Sequence, residues 1–150
     1  MSFHPAGTLR EGAHYHVLRI YYEDTDAGGV VYHATYLRLA ERARTEALRD
    51  LGVPHAQMQA QHGLIFMVRR VKLDYLAPAR LDDSLSVLTT VTAVRGATVE
   101  LRQQILLDDR LLVNAELQLA CVQAEVGRPG RIPARWRDAL AQLCGETEES

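Results

Sequence analysis

From His14 to Tyr22 the run HYHVLRIYY is aromatic and β-branched and sets His16, Leu18, Ile20 and Tyr22 on one face, which predicts a strand. The period then changes. Between Thr35 and Leu51, Tyr36, Leu39, Ala40, Ala43, Ala47 and Leu51 recur at spacings of three and four, while Arg38, Glu41, Arg42, Glu46 and Arg49 fill the opposite side. This spacing predicts an amphipathic helix with Thr35 as N-cap, Gly52 as the residue just past its end, and Pro54 blocking continuation. Three alanines keep its apolar face thin, so a sheet can wrap closely around it.

Beyond a polar connector, HAQMQAQHG, the period becomes two. Val71, Leu73 and Tyr75 alternate with Arg70, Lys72 and Asp74; Leu85 to Ala93, Val99 to Leu107 and Leu111 to Cys121 follow the same rule. The breaks at Arg95-Gly96 and Asp108-Asp109 are short enough for hairpins, so these runs predict a four-stranded antiparallel meander. Residues 1–13 read as loose, and PARWRDALAQL from Pro133 reads as a short helix before the tail to residue 150. One strand, one long helix and four strands make a single α+β domain over 1–150, with one helix against a five-stranded antiparallel sheet. One helix cannot cover both faces of such a sheet, so the pattern predicts a homodimer at least.

Composition narrows the classes. The chain has 150 residues, 47% of them hydrophobic and 24% charged, which places it among folded globular domains. Net charge is −2, without the basic excess of a general nucleic-acid binder, although all but one of the 17 cationic residues are arginine. Cys121 and Cys144 have neither metal-ligand nor disulfide-framework spacing, and no apolar run is long enough to span a membrane. With no recognisable secretion signal, the expected location is the cytoplasm.

Chemistry concentrates in the connection between the first strand and the helix, YYEDTDAGGVVYHA. Asp26 precedes Gly28 and Gly29 and then a helix start, where free N–H groups and a partial positive charge favour a developing oxyanion. The glycines add amides without side chains, and His33 stands seven residues beyond Asp26. A carboxylate beside such donors suits acyl transfer, as nucleophile or as general base. Three other readings fit the same residues: plain Asp-and-Gly turn chemistry, a divalent cation on Asp24, Asp26 and His33, and a phosphate cradle that lacks the Lys and Ser/Thr of a P-loop.

The stretch YYEDTDAGGVVYHATYLRLAERARTEALRDLG resembles the signature of hotdog-fold acyl-CoA thioesterases of the 4-hydroxybenzoyl-CoA thioesterase class, nearest the YbgC-type, Tol-Pal-associated members. FMVRRVKLDYLAPARLDDSL and VRGATVELRQQI resemble later blocks of the same family. The resemblance implies a long central helix wrapped by the sheet, two subunits joined in a dimer or tetramer, active sites at their interface, and no cofactor or metal. The implied substrate is a coenzyme A or acyl carrier protein thioester.

The family's D-x-D-x-x-G motif puts catalysis on Asp26, with Asp24 as a structural neighbour. His33 matches the histidine near the substrate carbonyl, and Tyr22 a tyrosine at the strand end. Arg69, Arg70 and Arg95 are the implied cations for the coenzyme's phosphates. The rivals are a non-catalytic acyl-binding or scaffold module of the cell envelope, and a dehydratase of the same fold acting on 3-hydroxyacyl thioesters. The acidic loop does not look like the dehydratase pattern.

Overall fold

The computed structural model describes residues 8–10 and 12–144. Strands β1 (Thr8–Arg10) and β2 (Ala13–Arg19) form an antiparallel pair, and helix α1 (Thr35–Asp50) follows the acidic loop. Helix α2 (His55–His62) leads into β3 (Leu64–Tyr75), and β4 (Ser84–Val94), β5 (Thr98–Leu107), β6 (Arg110–Gln123) and helix α3 (Ala134–Ala141) complete the chain. The six strands form one antiparallel sheet in the order β1-β2-β4-β5-β6-β3. This is the hotdog arrangement of one long helix against an antiparallel sheet.

Several boundaries differ from the pattern reading. Part of the N-terminal segment read as loose is β1, so the sheet gains a sixth, very short strand; residues 1–7 lie outside the described residues. The first long strand stops at Arg19 rather than running to Tyr22, because Tyr22–Asp24 turn into one 3-10 turn. The N-cap of α1 is Ala34, so Thr35 is the first helical residue and makes no capping bond with its side chain. At the other end Gly52 (φ +80°) and Val53 close the helix as expected, bonding back to Arg49 and Leu48. The polar connector is α2, a helix started by Pro54 and ended by Gly63 at φ +66°.

The four later strands are not a simple meander. Strands β4, β5 and β6 are joined by the two expected hairpins, but β3 crosses the sheet to pair with β6, and β2 takes the place beside β4. Alternation fixes which face of a strand is buried and says nothing about its neighbour. The 76–83 connection makes the crossing, and it runs along the base of the acidic loop.

Helix α1 packs on β2 and β4. Its face of Tyr36, Leu39 and Ala43 meets Leu85, Val87, Ile105 and Val113, while Ala47 and Leu48 join the second half of the core around Trp136. Burying a leucine of this kind stabilises by about 1.5–3 kcal/mol. At the far edge the helix covers β3 only in part, and the core-side residues Val68, Val71 and Tyr75 stay exposed.

Candidate active site

The acidic loop is a closed turn held from below. Asp26 N–H donates to the Val30 carbonyl at 2.8 Å, and Gly29 N–H to the Asp26 carbonyl at 3.1 Å. The 76–83 connection braces it: Val31 N–H donates to the Ala79 carbonyl (2.8 Å), Leu81 N–H to that of Gly29 (3.1 Å), and Ala79 N–H to the Tyr36 hydroxyl on α1 (2.9 Å). Burial raises the Tyr36 phenol above its ordinary value. The loop is therefore tied to helix and sheet, which gives its side chains fixed positions.

The two aspartates have different surroundings. Asp24 is 5% exposed; its Oδ2 accepts the Tyr21 N–H at 2.9 Å and its carbonyl the Tyr32 N–H at 3.2 Å, so it clasps the two sides of the loop. Asp26 is exposed. Its Oδ1 accepts the Gly28 N–H at 2.8 Å and the Val30 N–H at 3.4 Å, which anchors one oxygen and leaves Oδ2 with no hydrogen-bond partner among the described residues. The two carboxylates turn to separate partners, and no cluster of three or more acidic, histidine or cysteine groups suited to a metal ion occurs among the described residues.

Both glycine amides are already engaged, Gly28 by the Asp26 carboxylate and Gly29 by the Asp26 carbonyl. In this loop conformation the Gly28 amide positions the carboxylate and the Gly29 amide closes the turn, so neither faces a ligand. Main-chain donors remain further on, where the N–H groups of His33 and Ala34 have no backbone acceptor among the described residues. They precede an α1 N-terminus with no side-chain cap.

Asp26, Thr25, Tyr32, Ala34, Thr35 and Arg38 line an open groove of about 470 Å³. His33 sits at the helix start with its ring 4.8 Å from that of Tyr32 and 6.2 Å from that of Tyr75. Tyr22 is 81% exposed on the 3-10 turn and does not line the groove. Its change of place follows from the early end of β2.

Nor do the three arginines lie there. Arg69 occupies the bulge of β3, and Arg70 lines a separate groove on the outer face of the sheet with Lys72, Arg102 and Glu116. Arg95 is in the β4–β5 turn, 3.5 Å from Glu100. It follows the far end of β4, whose eleven residues span roughly 35 Å from the acidic loop. The cation that lines the groove is Arg38, 64% exposed and 3.9 Å from Asp24. Its signal in the sequence was its place three residues after Thr35, one turn from the helix start.

The chain matches the family model described as the thioesterase-like superfamily over residues 21–142. It is 42% identical to the acyl-CoA thioesterase YbgC of Haemophilus influenzae over 126 residues, which cover 84% of this chain and 93% of that protein. Identity is 44% to the acyl-CoA thioester hydrolase YbgC of Escherichia coli over 117 residues, 77% of this chain and 87% of that one. Among solved structures, a probable thioesterase from Bartonella henselae superposes with a TM-score of 0.77 at 36% identity, covering 81% of this chain and 99% of that chain.

Proposed function

The chain belongs to the thioesterase-like superfamily, and from that premise we propose that it hydrolyses acyl-CoA thioesters to the free acid and coenzyme A, with Asp26 as the catalytic carboxylate. The observation that carries the assignment is the half-anchored carboxylate: Gly28 and Val30 hold Oδ1, while Oδ2 stands uncommitted in a groove also lined by Ala34 at the helix start.

In this reading the thioester oxygen lies against the His33 and Ala34 amides, where the end of the helix stabilises negative charge. The free oxygen of Asp26 acts on the carbonyl carbon, directly or through a water whose proton it takes. In the direct route the side-chain carboxylate of Asp26 becomes a mixed anhydride as the coenzyme A thiolate leaves, and water then cleaves the anhydride. The His33 ring orients the thioester at the mouth of the groove. Single turnover in ¹⁸O-water separates the routes, because only the anhydride route can place label in Asp26.

A second copy of the chain completes the enzyme. Strand β3 is a twelve-residue edge with Val68, Val71 and Tyr75 uncovered, the combination that soluble proteins seldom leave bare. Isologous pairing across β3 covers it and places the His33 turn, which Tyr75 touches, beside the junction. The test of the activity is a panel of acyl-CoAs of graded length on wild type and Asp26→Asn, read as free thiol release. Turnover in wild type and its loss in a variant with unchanged melting supports the proposal; wild-type rates in Asp26→Asn overturn it.

A further inference from the structure

The His33 carbonyl accepts two hydrogen bonds, from the Tyr36 N–H at 3.3 Å and from the Tyr75 hydroxyl at 3.2 Å. That carbonyl and the Ala34 N–H belong to one planar trans peptide unit, so fixing the oxygen fixes the direction of the N–H on the opposite side. Ala34 lines the groove with Asp26. Tyr75, by contrast, comes from the last position of β3, forty-two residues away in sequence, with its ring 5.7 Å from Tyr36.

We infer that Tyr75 is a positioning residue for thioester cleavage, acting through the His33–Ala34 peptide to aim the Ala34 N–H at the substrate carbonyl. The inference rests on the thioesterase reading above and adds a residue that does not touch the reacting atoms. Two physical effects support it. A carbonyl held by one weak helical bond can rock, whereas one held by two donors at an angle cannot, and a misaimed donor loses its preference for the transition state. Donation into the carbonyl also polarises the peptide, which strengthens its N–H as a donor. Packing does not account for the hydroxyl: the ring meets Tyr36 at the sheet edge, where a phenylalanine would pack as well, and only the oxygen reaches the His33 carbonyl.

Tyr75→Phe keeps the ring and deletes the hydroxyl. The expected result is a kcat lower by about tenfold with KM changed by less than about twofold, at an unchanged melting temperature. A spectroscopic readout accompanies it. The carbonyl stretch of a ¹³C-labelled acyl-CoA bound to Asp26→Asn should lie below its solution frequency, and adding Tyr75→Phe should move it part of the way back. Wild-type kcat in Tyr75→Phe, a loss confined to KM, or an unmoved carbonyl frequency overturns the inference. Wild-type protein inactive on every acyl-CoA is a different failure, that of the thioesterase reading itself.

Discussion

The Oδ1 of Asp26 lies 2.8 Å from the backbone nitrogen of Gly28, so the carboxylate is aimed by an amide two residues ahead of it in its own turn. A Cβ at Gly28 would sit 3.4 Å from that same oxygen, at ordinary van der Waals contact, and the backbone there is not left-handed. Gly28→Ala keeps that N–H and should therefore fold normally and turn over close to the wild-type rate. Gly29, at φ +81° with open space around it, should differ: Gly29→Ala costs about 1 kcal/mol in stability through backbone strain. Paired melting curves and acyl-CoA kinetics check both, and a large loss of turnover in Gly28→Ala at unchanged melting would show that the carboxylate needs more room than this turn leaves it.

Asp24 and Asp26 should separate stability from catalysis. Asp24→Ala strands the Tyr21 N–H on the inside of the loop and is expected to cost about 1–3 kcal/mol in chemical denaturation. Asp24→Asn keeps an acceptor in place and should cost less. Asp26→Asn, on an exposed side chain, should leave the denaturation midpoint where it was.

Much of this was legible in the chain because periodicity reports burial. The helix face from Tyr36 to Ala47, the inward residues of β4, β5 and β6, the two hairpins and the C-terminal helix all lie where alternation and spacing put them. Helix α2 was hidden because HAQMQAQH buries only Met58 and so shows no apolar stripe. The crossing of β3 was hidden because pairing order depends on contacts between distant segments. In the site, Asp26 was readable from its motif, but the engagement of the Gly28 and Gly29 amides was not, since a turn that bonds to itself and one that bonds to a ligand use the same residues. Arg38 belongs to the side of α1 opposite the apolar stripe, and only the fold brings it beside Asp26.

The open edge makes its own prediction. Val71 faces the core side of β3, opposite Leu117 on β6, yet remains exposed. Val71→Glu should leave the monomer folded, since no packed neighbour is displaced, and should convert a dimer to monomer by placing like charges across the symmetric contact. Sedimentation velocity measures the change in mass. A dimer that persists in this variant would move the interface off β3.

A buried polar row lies between α1 and the sheet. Gln103 donates through Nε2 to the Ala40 carbonyl (2.9 Å) and the Thr89 hydroxyl (3.0 Å), and its Oε1 accepts from Arg44 at 2.9 Å. Burial lowers the pKa of Arg44, opposed by nearby Glu41. Gln103→Leu fills similar space but leaves that guanidinium and the Ala40 carbonyl without their partner, and is expected to destabilise by about 2–3 kcal/mol in urea. A neutral result would mean that water replaces the amide there.

Acid sensitivity should trace to histidines that the fold holds neutral. His16 on β2 has its pKa lowered from 6.5 chiefly by burial, with His14 and Arg42 adding to the effect and Glu46 and Asp50 opposing it. Burial likewise lowers His55 on α2, with Arg44 and Arg49 adding and Glu41 opposing. A histidine whose folded pKa is depressed binds more protons when unfolded, so stability is complete above the unfolded value and declines as pH falls from there through the folded value. The melting temperature should thus drop between about pH 7 and pH 5, the range in which an ordinary histidine gains its proton. His16→Gln removes one site from the unfolded chain and should flatten that slope, and adding His55→Gln should flatten it further. Because both groups are only partly enclosed, each contribution is small and the two should add, as independent sites do. An undiminished slope in the double variant would show that the acid loss does not arise from His16 and His55.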